Sequence, residues 1–172
     1  MKKKIFIILL AFVLLISVTG CGKSNKTEEE KKSTPYVVKD KVDKYYNLGE
    51  KITYSNFDFE FTKAEVIKTT ETDYALPNTE VIKVEMKIKN NSDKDIANPV
   101  YMFRNVGPND YLVENDLKYV MPDSIAVKNT MIKAGEEVAG NYYISLMGSG
   151  EYRIELYDYV NSRVAVKFNI GK

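Results

Sequence analysis

Ile82-Lys83-Val84-Glu85-Met86-Lys87-Ile88-Lys89 alternates apolar and charged residues without a break. Successive side chains of a strand point to opposite faces, so this stretch buries one face and wets the other. Strands of that kind belong to antiparallel sheets packed on one side. The same period recurs on either side. Phe57, Phe59 and Phe61 alternate with Asp58, Glu60 and Thr62. Tyr152, Ile154 and Leu156 alternate with Arg153 and Glu155, and Val164, Val166, Phe168 and Ile170 with Ala165, Lys167 and Asn169. Glu137 to Leu146 reads as a further strand, and Ile52 and Tyr54 as a short one.

Turn chemistry separates these runs. Asn47-Leu48-Gly49-Glu50, Ser55-Asn56, Asn90-Asn91-Ser92-Asp93-Lys94-Asp95, Lys133-Ala134-Gly135-Glu136 and Gly148-Ser149-Gly150 hold residues that accept turn or left-handed geometry. Asn98 to Val127, with Pro99, Pro108 and Pro122, is the least regular stretch and reads as one or two short strands with long loops. Val37 to Tyr46 reads as one short turn at most. The sum is an all-β chain, an antiparallel β-sandwich of seven or eight strands or a small barrel.

The start of the chain is different. Lys2-Lys3-Lys4 precedes an uncharged run from Ile5 to Val18. A transmembrane helix needs about 20 apolar residues, and this run is about 14, the length of a signal-peptide core. Val18-Thr19-Gly20-Cys21 follows and resembles the lipobox of bacterial lipoproteins, in which the cysteine thiol takes a diacylglyceryl group and becomes the first residue after cleavage. Residues 1–20 are therefore expected to be a signal peptide and Cys21 the lipidated residue. Two acyl chains give stable anchoring in the lipid bilayer. With its only cysteine lipidated, the chain is expected to hold no disulfide. Residues 21–44 are rich in Lys, Glu, Ser and Thr and read as a flexible polar tether, which leaves 45–172 for the folded domain.

Composition excludes several functions. The 172-residue chain has no histidine and one cysteine, so Ser-His-Asp and Cys-His catalysis and the common zinc sites are excluded within it. Without Lys2, Lys3 and Lys4 the 25 basic residues become 22, against 24 acidic ones, too little basic excess for a nucleic-acid surface. Glu71, Asp73, Asp110, Glu114, Asp116 and Asp123 lie in expected loops but show no calcium-loop spacing, so neither a metal site nor a cofactor is assigned. Catalytic residues are not assigned either, and no enzyme activity is expected.

Tyrosine is the unusual enrichment, at 13 residues. Tyr74, Tyr101, Tyr111, Tyr119, Tyr157 and Tyr159 fall in or beside expected loops. Tyrosine offers rigid contact area with a polar tip, so Tyr101, Tyr111 and Tyr119 are the candidate binding loop. It is also a favoured strand residue, which suffices for Tyr142, Tyr143 and Tyr152.

The order of these features resembles a family of Gram-positive lipoproteins with an immunoglobulin-like domain of unknown function, similar in fold to the mycobacterial immunoprotective extracellular protein. Leu48-Gly49-Glu50, Phe57-Asp58-Phe59-Glu60-Phe61-Thr62, Lys89-Asn90-Asn91-Ser92-Asp93-Lys94 and Ala134-Gly135-Glu136 carry the resemblance. It implies an immunoglobulin-like sandwich on the extracytoplasmic face of the cell membrane and brings no catalytic residues. The expected role is a tethered binding or adaptor module for an extracellular protein or a cell-wall partner. The alternatives are a small-ligand or calcium-binding accessory lipoprotein and an inhibitor of a secreted hydrolase.

Overall fold

The computed structural model describes residues 35–70, 78–113, 121–158 and 163–171. Cys21, Val18, Thr19, Gly20 and Tyr119 lie outside the described residues. The compact unit runs from Pro35 to Lys172. Its strands are β1 (Lys44–Asn47), β2 (Lys51–Tyr54), β3 (Phe57–Lys68), β4 (Glu80–Asn90), β5 (Ile96–Ala97), β6 (Phe103–Val106), β7 (Leu112–Val113), β8 (Met131–Ile132), β9 (Glu137–Ser145), β10 (Gly150–Leu156) and β11 (Val164–Ile170). One sheet has the order β1-β11-β10-β6-β7 and the other β2-β3-β4-β9, with β5 and β8 as a small separate pair.

The long alternating runs form the strands they predict. β3 pairs with β4 and β4 with β9, both antiparallel, with Phe59 opposite Ile88 and Ile88 opposite Val138. Phe57, Phe59, Phe61, Ile82, Val84, Met86 and Ile88 enter one core with Tyr152, Ile154, Leu156, Val166 and Phe168 from the facing sheet. Phe103 seals the two layers. Its ring lies 5.6 Å from Phe59, 5.7 Å from Phe61 and 5.2 Å edge-on to Tyr142. Such rings add attraction beyond their buried area. Beside them the buried Asn105 amide of β6 donates to the Tyr142 hydroxyl of β9 at 3.1 Å, one polar tie between sheets.

Three expectations are corrected. There are 11 strands among the described residues rather than seven or eight. The extra ones are two to four residues long, too short to show a period. The sandwich is not wholly antiparallel, since β1 runs parallel to β11. The folded part also begins before residue 45. Val38 and Val42 are buried, and Val37 bridges Tyr111. Residues 35–44 are largely polar in composition, but two of their three valines, Val38 and Val42, find apolar cover, so they pack and do not act as tether.

Two of the four stretches that carry the resemblance, Lys89–Lys94 and Ala134–Glu136, meet in space. Asn90 ends β4 fully buried, and its Nδ2 donates to the Lys94 carbonyl at 2.7 Å and the Ile132 carbonyl at 3.0 Å. Its Oδ1 accepts from the Ser92 N–H at 2.9 Å. The Ala134 N–H donates to Asp95 at 3.0 Å, and Gly135 supplies the positive φ of 72° that the second turn needs. These residues are a structural knot, which accounts for Asp95 as a turn residue.

Candidate functional site

One end of the sandwich carries a cleft of about 340 Å³. Ser55 and Asn56 form the tip of the β2–β3 hairpin on one side. Ile96 of β5 lines it with Tyr101 and Met102, and Tyr157 and Asp158 follow β10. Local chemistry sets each wall. Asn98 and Pro99 start a short 3₁₀ turn, Pro99–Met102. The Asn98 Oδ1 accepts from the Val100 N–H at 3.2 Å, and its Nδ2 donates to the Ile125 carbonyl at 3.1 Å and the Asn129 carbonyl at 2.7 Å. That buried amide presses the turn onto the one-turn helix Ile125–Lys128 and leaves Tyr101 outside, 63% exposed. The Tyr157 N–H donates to the Met102 carbonyl at 3.0 Å, and the Asp158 N–H to the Tyr54 hydroxyl at 3.1 Å. Burial raises the Tyr54 phenol above its ordinary value and keeps it neutral. Ser55 holds φ at +54°, a left-handed conformation uncommon outside glycine.

The lining is aromatic and aliphatic with a polar rim. It suits an apolar or aromatic side chain or the flat face of a sugar ring. Among the described residues no group of three carboxylate, thiol or imidazole side chains converges on one point.

Tyr101 and Tyr157 are thus brought together, as loop tyrosines. Tyr111 is not. It is half-buried at the far end of β6, where its carbonyl accepts from the Gly107 N–H at 2.8 Å. Asp110 and Asp123, two of the loop carboxylates, are each engaged elsewhere: Asp110 pairs with Arg153 at 2.5 Å, and Asp123 accepts from Tyr143 at 2.7 Å and Asn141 at 2.7 Å. The hairpin tip Ser55-Asn56 was legible as a turn, but nothing in the sequence joins it to Ile96 or Tyr101.

A second constellation borders the cleft. The Arg163 guanidinium lies 4.5 Å from the centre of the Tyr157 ring. Arg163, Arg104 of β6 and Arg153 of β10 converge on Glu155, which is 0% exposed. Glu155 lies on the outer face of the five-stranded sheet, opposite the core residues Ile154 and Leu156 that flank it. It is buried because residues 36–43 cover that face. The Leu112 N–H donates to the Tyr36 carbonyl and the Val38 N–H to the Asp110 carbonyl, each at 2.8 Å, on the β7 edge. The Asp43 N–H donates to the Arg163 carbonyl at 2.8 Å, on the β11 side. Between these ties Asp40 pairs with Arg104 at 2.6 Å and Arg163 at 2.9 Å. The two guanidiniums hold the Asp40 carboxyl below the usual carboxylate range. Burial pulls the Arg104 pKa down, but hydrogen bonds to Asp40 and Glu155 outweigh it and raise the value.

No protein-family model matches the chain, and no curated protein matches it in sequence. Solved structures do match in fold. The secreted protein MPT63 of Mycobacterium tuberculosis aligns with a TM-score of 0.55 and 12% identity, over 78% of this chain and 99% of MPT63. A candidate lipoprotein of Staphylococcus aureus aligns with a TM-score of 0.53 and 16% identity, over 72% of this chain and 90% of that one. The candidate lipoprotein ycdA of Bacillus subtilis aligns with a TM-score of 0.51 and 13% identity, over 69% of this chain and 38% of that one. This chain therefore spans well under half of the Bacillus protein. The fold is a β-sandwich shared with lipoprotein-type proteins of Gram-positive bacteria and a mycobacterial secreted protein, as the motifs imply.

Proposed function

We propose that this chain is a lipid-anchored extracytoplasmic binding module, held at the outer face of the cytoplasmic membrane through Cys21, whose end cleft docks an extracellular protein or cell-wall partner. The observation that carries the docking site is Tyr101, 63% exposed at the mouth of the cleft of about 340 Å³. A large aromatic left in water beside a cleft of mixed apolar and polar lining suits an interface. Tethering fits the sequence, in which the lipobox Val18-Thr19-Gly20-Cys21 and a polar stretch precede the domain. Among the described residues no helix is long and apolar enough to cross a membrane. Binding fits the cleft better than catalysis, because among the described residues Asp158 is the one carboxylate that lines it, and the chain has no histidine.

Chemical crosslinking on intact cells, followed by mass spectrometry, tests this reading. The tagged chain should yield a dominant extracellular product that Tyr101→Asp loses, while both proteins stay at the membrane. Identical products from the two would overturn the docking site. Cys21→Ser should release the domain from the membrane fraction, and its retention there would overturn the anchor.

A further inference from the structure

The end of the sandwich opposite the cleft carries exposed apolar side chains that the docking role does not use. Register sets this end: Lys68 lies opposite Glu80, Val81 opposite Ser145 and Gly150 opposite Ile170, whereas the hairpin tip at Ser55 and Asn56 belongs to the cleft end. Here the turn between β9 and β10 packs on the turn between β6 and β7. A Cβ built at Gly107 would lie 3.6 Å from the Met147 sulfur, and one at Gly150 would meet Pro108 at 3.0 Å. The buried Tyr152 ties this turn down: its hydroxyl accepts from the Met147 N–H at 2.8 Å and donates to the Gly148 carbonyl at 2.9 Å. Tyr111 closes the other turn and bridges Val37. Val66, Leu146 and Ile170 line an open groove of about 530 Å³ alongside. Tyr36, Val37, Val66 and Met147 are half of the eight large apolar side chains exposed among the described residues. The charges near them balance, since among the described residues Lys68 stands opposite Glu80, Arg153 pairs with Asp110 and Lys167 with Glu151. Such a surface does not repel an anionic bilayer.

The chain also joins the domain here. The Leu112 N–H donates to the Tyr36 carbonyl at 2.8 Å, so the first described residues lie on the β7 edge, beside the turn between β6 and β7. Residues 22–34 separate Cys21 from Pro35. Even at full extension they span about 50 Å at most. A tether of that length keeps its two ends at about millimolar effective concentration, so contacts too weak to hold a free domain suffice. Tyrosine, with an apolar body and a polar tip, is favoured at the bilayer interface, and methionine adapts to irregular apolar surroundings. We propose that this end of the sandwich seats on the interfacial region of the phospholipid bilayer through Tyr36, Val37, Val66 and Met147, and that the seating turns the Tyr101 cleft away from the membrane. The proposal rests on the anchoring at Cys21 proposed above and does not depend on what docks in the cleft.

The test couples the full chain through Cys21, its only thiol, to a maleimide phospholipid in nanodiscs of phosphatidylglycerol and phosphatidylethanolamine, one chain per disc. Coupling supplies the tether whether or not cells lipidate Cys21, a question that fractionation of Cys21→Ser decides separately. With a nitroxide on the lipid headgroups, NMR should show amide relaxation enhanced at least tenfold more at Tyr36, Val37, Val66 and Met147 than at Asn56 and Tyr101. Tyr36→Ser/Met147→Ser should lose that contrast, and thermal unfolding shows that the variant is folded. Equal enhancement at the two ends, or a contrast that survives the double substitution, would overturn the proposal. Signal changes at the same four residues that arise only with two chains per disc would give the face to a second copy and overturn it as well.

Discussion

The outer faces of the two sheets carry the same kinds of side chain and use them in opposite ways. On the four-stranded sheet, Lys51 pairs with Asp58 at 2.7 Å, Lys87 with Glu60 at 3.3 Å and Lys63 with Glu65 at 2.7 Å, along a ladder that is largely open to water. On the five-stranded sheet, Arg104, Arg153 and Arg163 close on a Glu155 that water does not reach. The difference is the cover. Residues 36–43 tie to both sides of the five-stranded sheet, and they put Val38 and Val42 under cover with Val106 and Ala165. An exposed ion pair is worth about 0–1 kcal/mol, because water screens it and the side chains lose freedom. A buried carboxylate is committed to its partners, since removing either side leaves an uncompensated charge.

That contrast can be broken from the largest effect downward. Glu155→Gln leaves three guanidiniums around a neutral group and should cost about 3–5 kcal/mol in denaturant unfolding. A cost below about 1 kcal/mol would mean that the face is wet. Val42→Ala removes two buried methyl groups from the covering segment, at about 0.8 kcal/mol per carbon, so about 1–2 kcal/mol should be lost. Its hydrogen exchange should rise in residues 36–43 before it rises in β4.

Acid should act on one covered patch of the other face. Val81, Met121 and Tyr143 form a small cluster there, beside Asp123. Burial would raise the Asp123 pKa, but hydrogen bonds from Tyr143 and Asn141 outweigh it and hold the pKa below the ordinary 3.8. A carboxyl depressed in the folded state contributes stability above its unfolded pKa and loses it as pH falls through the lower folded value. The melting temperature should therefore drop on acidification below about pH 4, and Asp123→Asn should make that drop shallower. The smallest effect belongs to the open ladder. A double-mutant cycle on Lys87 and Glu60, both substantially exposed, should give a coupling below about 1 kcal/mol that fades with salt.

The same contrast marks where the sequence is legible. Ile82 to Lys89 and Phe57 to Phe61 declare their strands because the period comes from the pleat of one strand. Past Phe61 the inward parity changes, because a bulge at Thr62 sets Phe61 opposite Met86 but Lys63 opposite Glu85. That shift depends on the partner strand. Arg153 and Glu155 alternate with Ile154 and Leu156 and so read as a wet face. Glu155 is dry only because a segment more than 100 positions earlier in the chain lies over it, and no local pattern records that. Val38 and Val42, four positions apart in a stretch otherwise rich in Lys and Asp, are the buried apolar residues by which 35–44 pack. The cleft was half legible. Tyr101 and Tyr157 stand out as loop tyrosines, but Tyr111 shares their type and sits at the other end of β6, because its position follows from the pairing of Val106 with Leu112.

Gly140 shows how closely the covering helix sits on the four-stranded sheet. A Cβ built there would meet the Ile125 Cβ at 3.0 Å, so Gly140→Val should displace the helix or cost about 1–3 kcal/mol.

The most direct test of the covered face is native-state hydrogen exchange of the Val38, Asp43 and Leu112 amides, each of which ties residues 36–43 to the sheet. If the segment lies on the sheet as a part of the fold, these amides should exchange at least about a hundredfold more slowly than the same residues in an unstructured peptide. Exchange at the peptide rate, with β4 still protected, would contradict the account and return Glu155 to water.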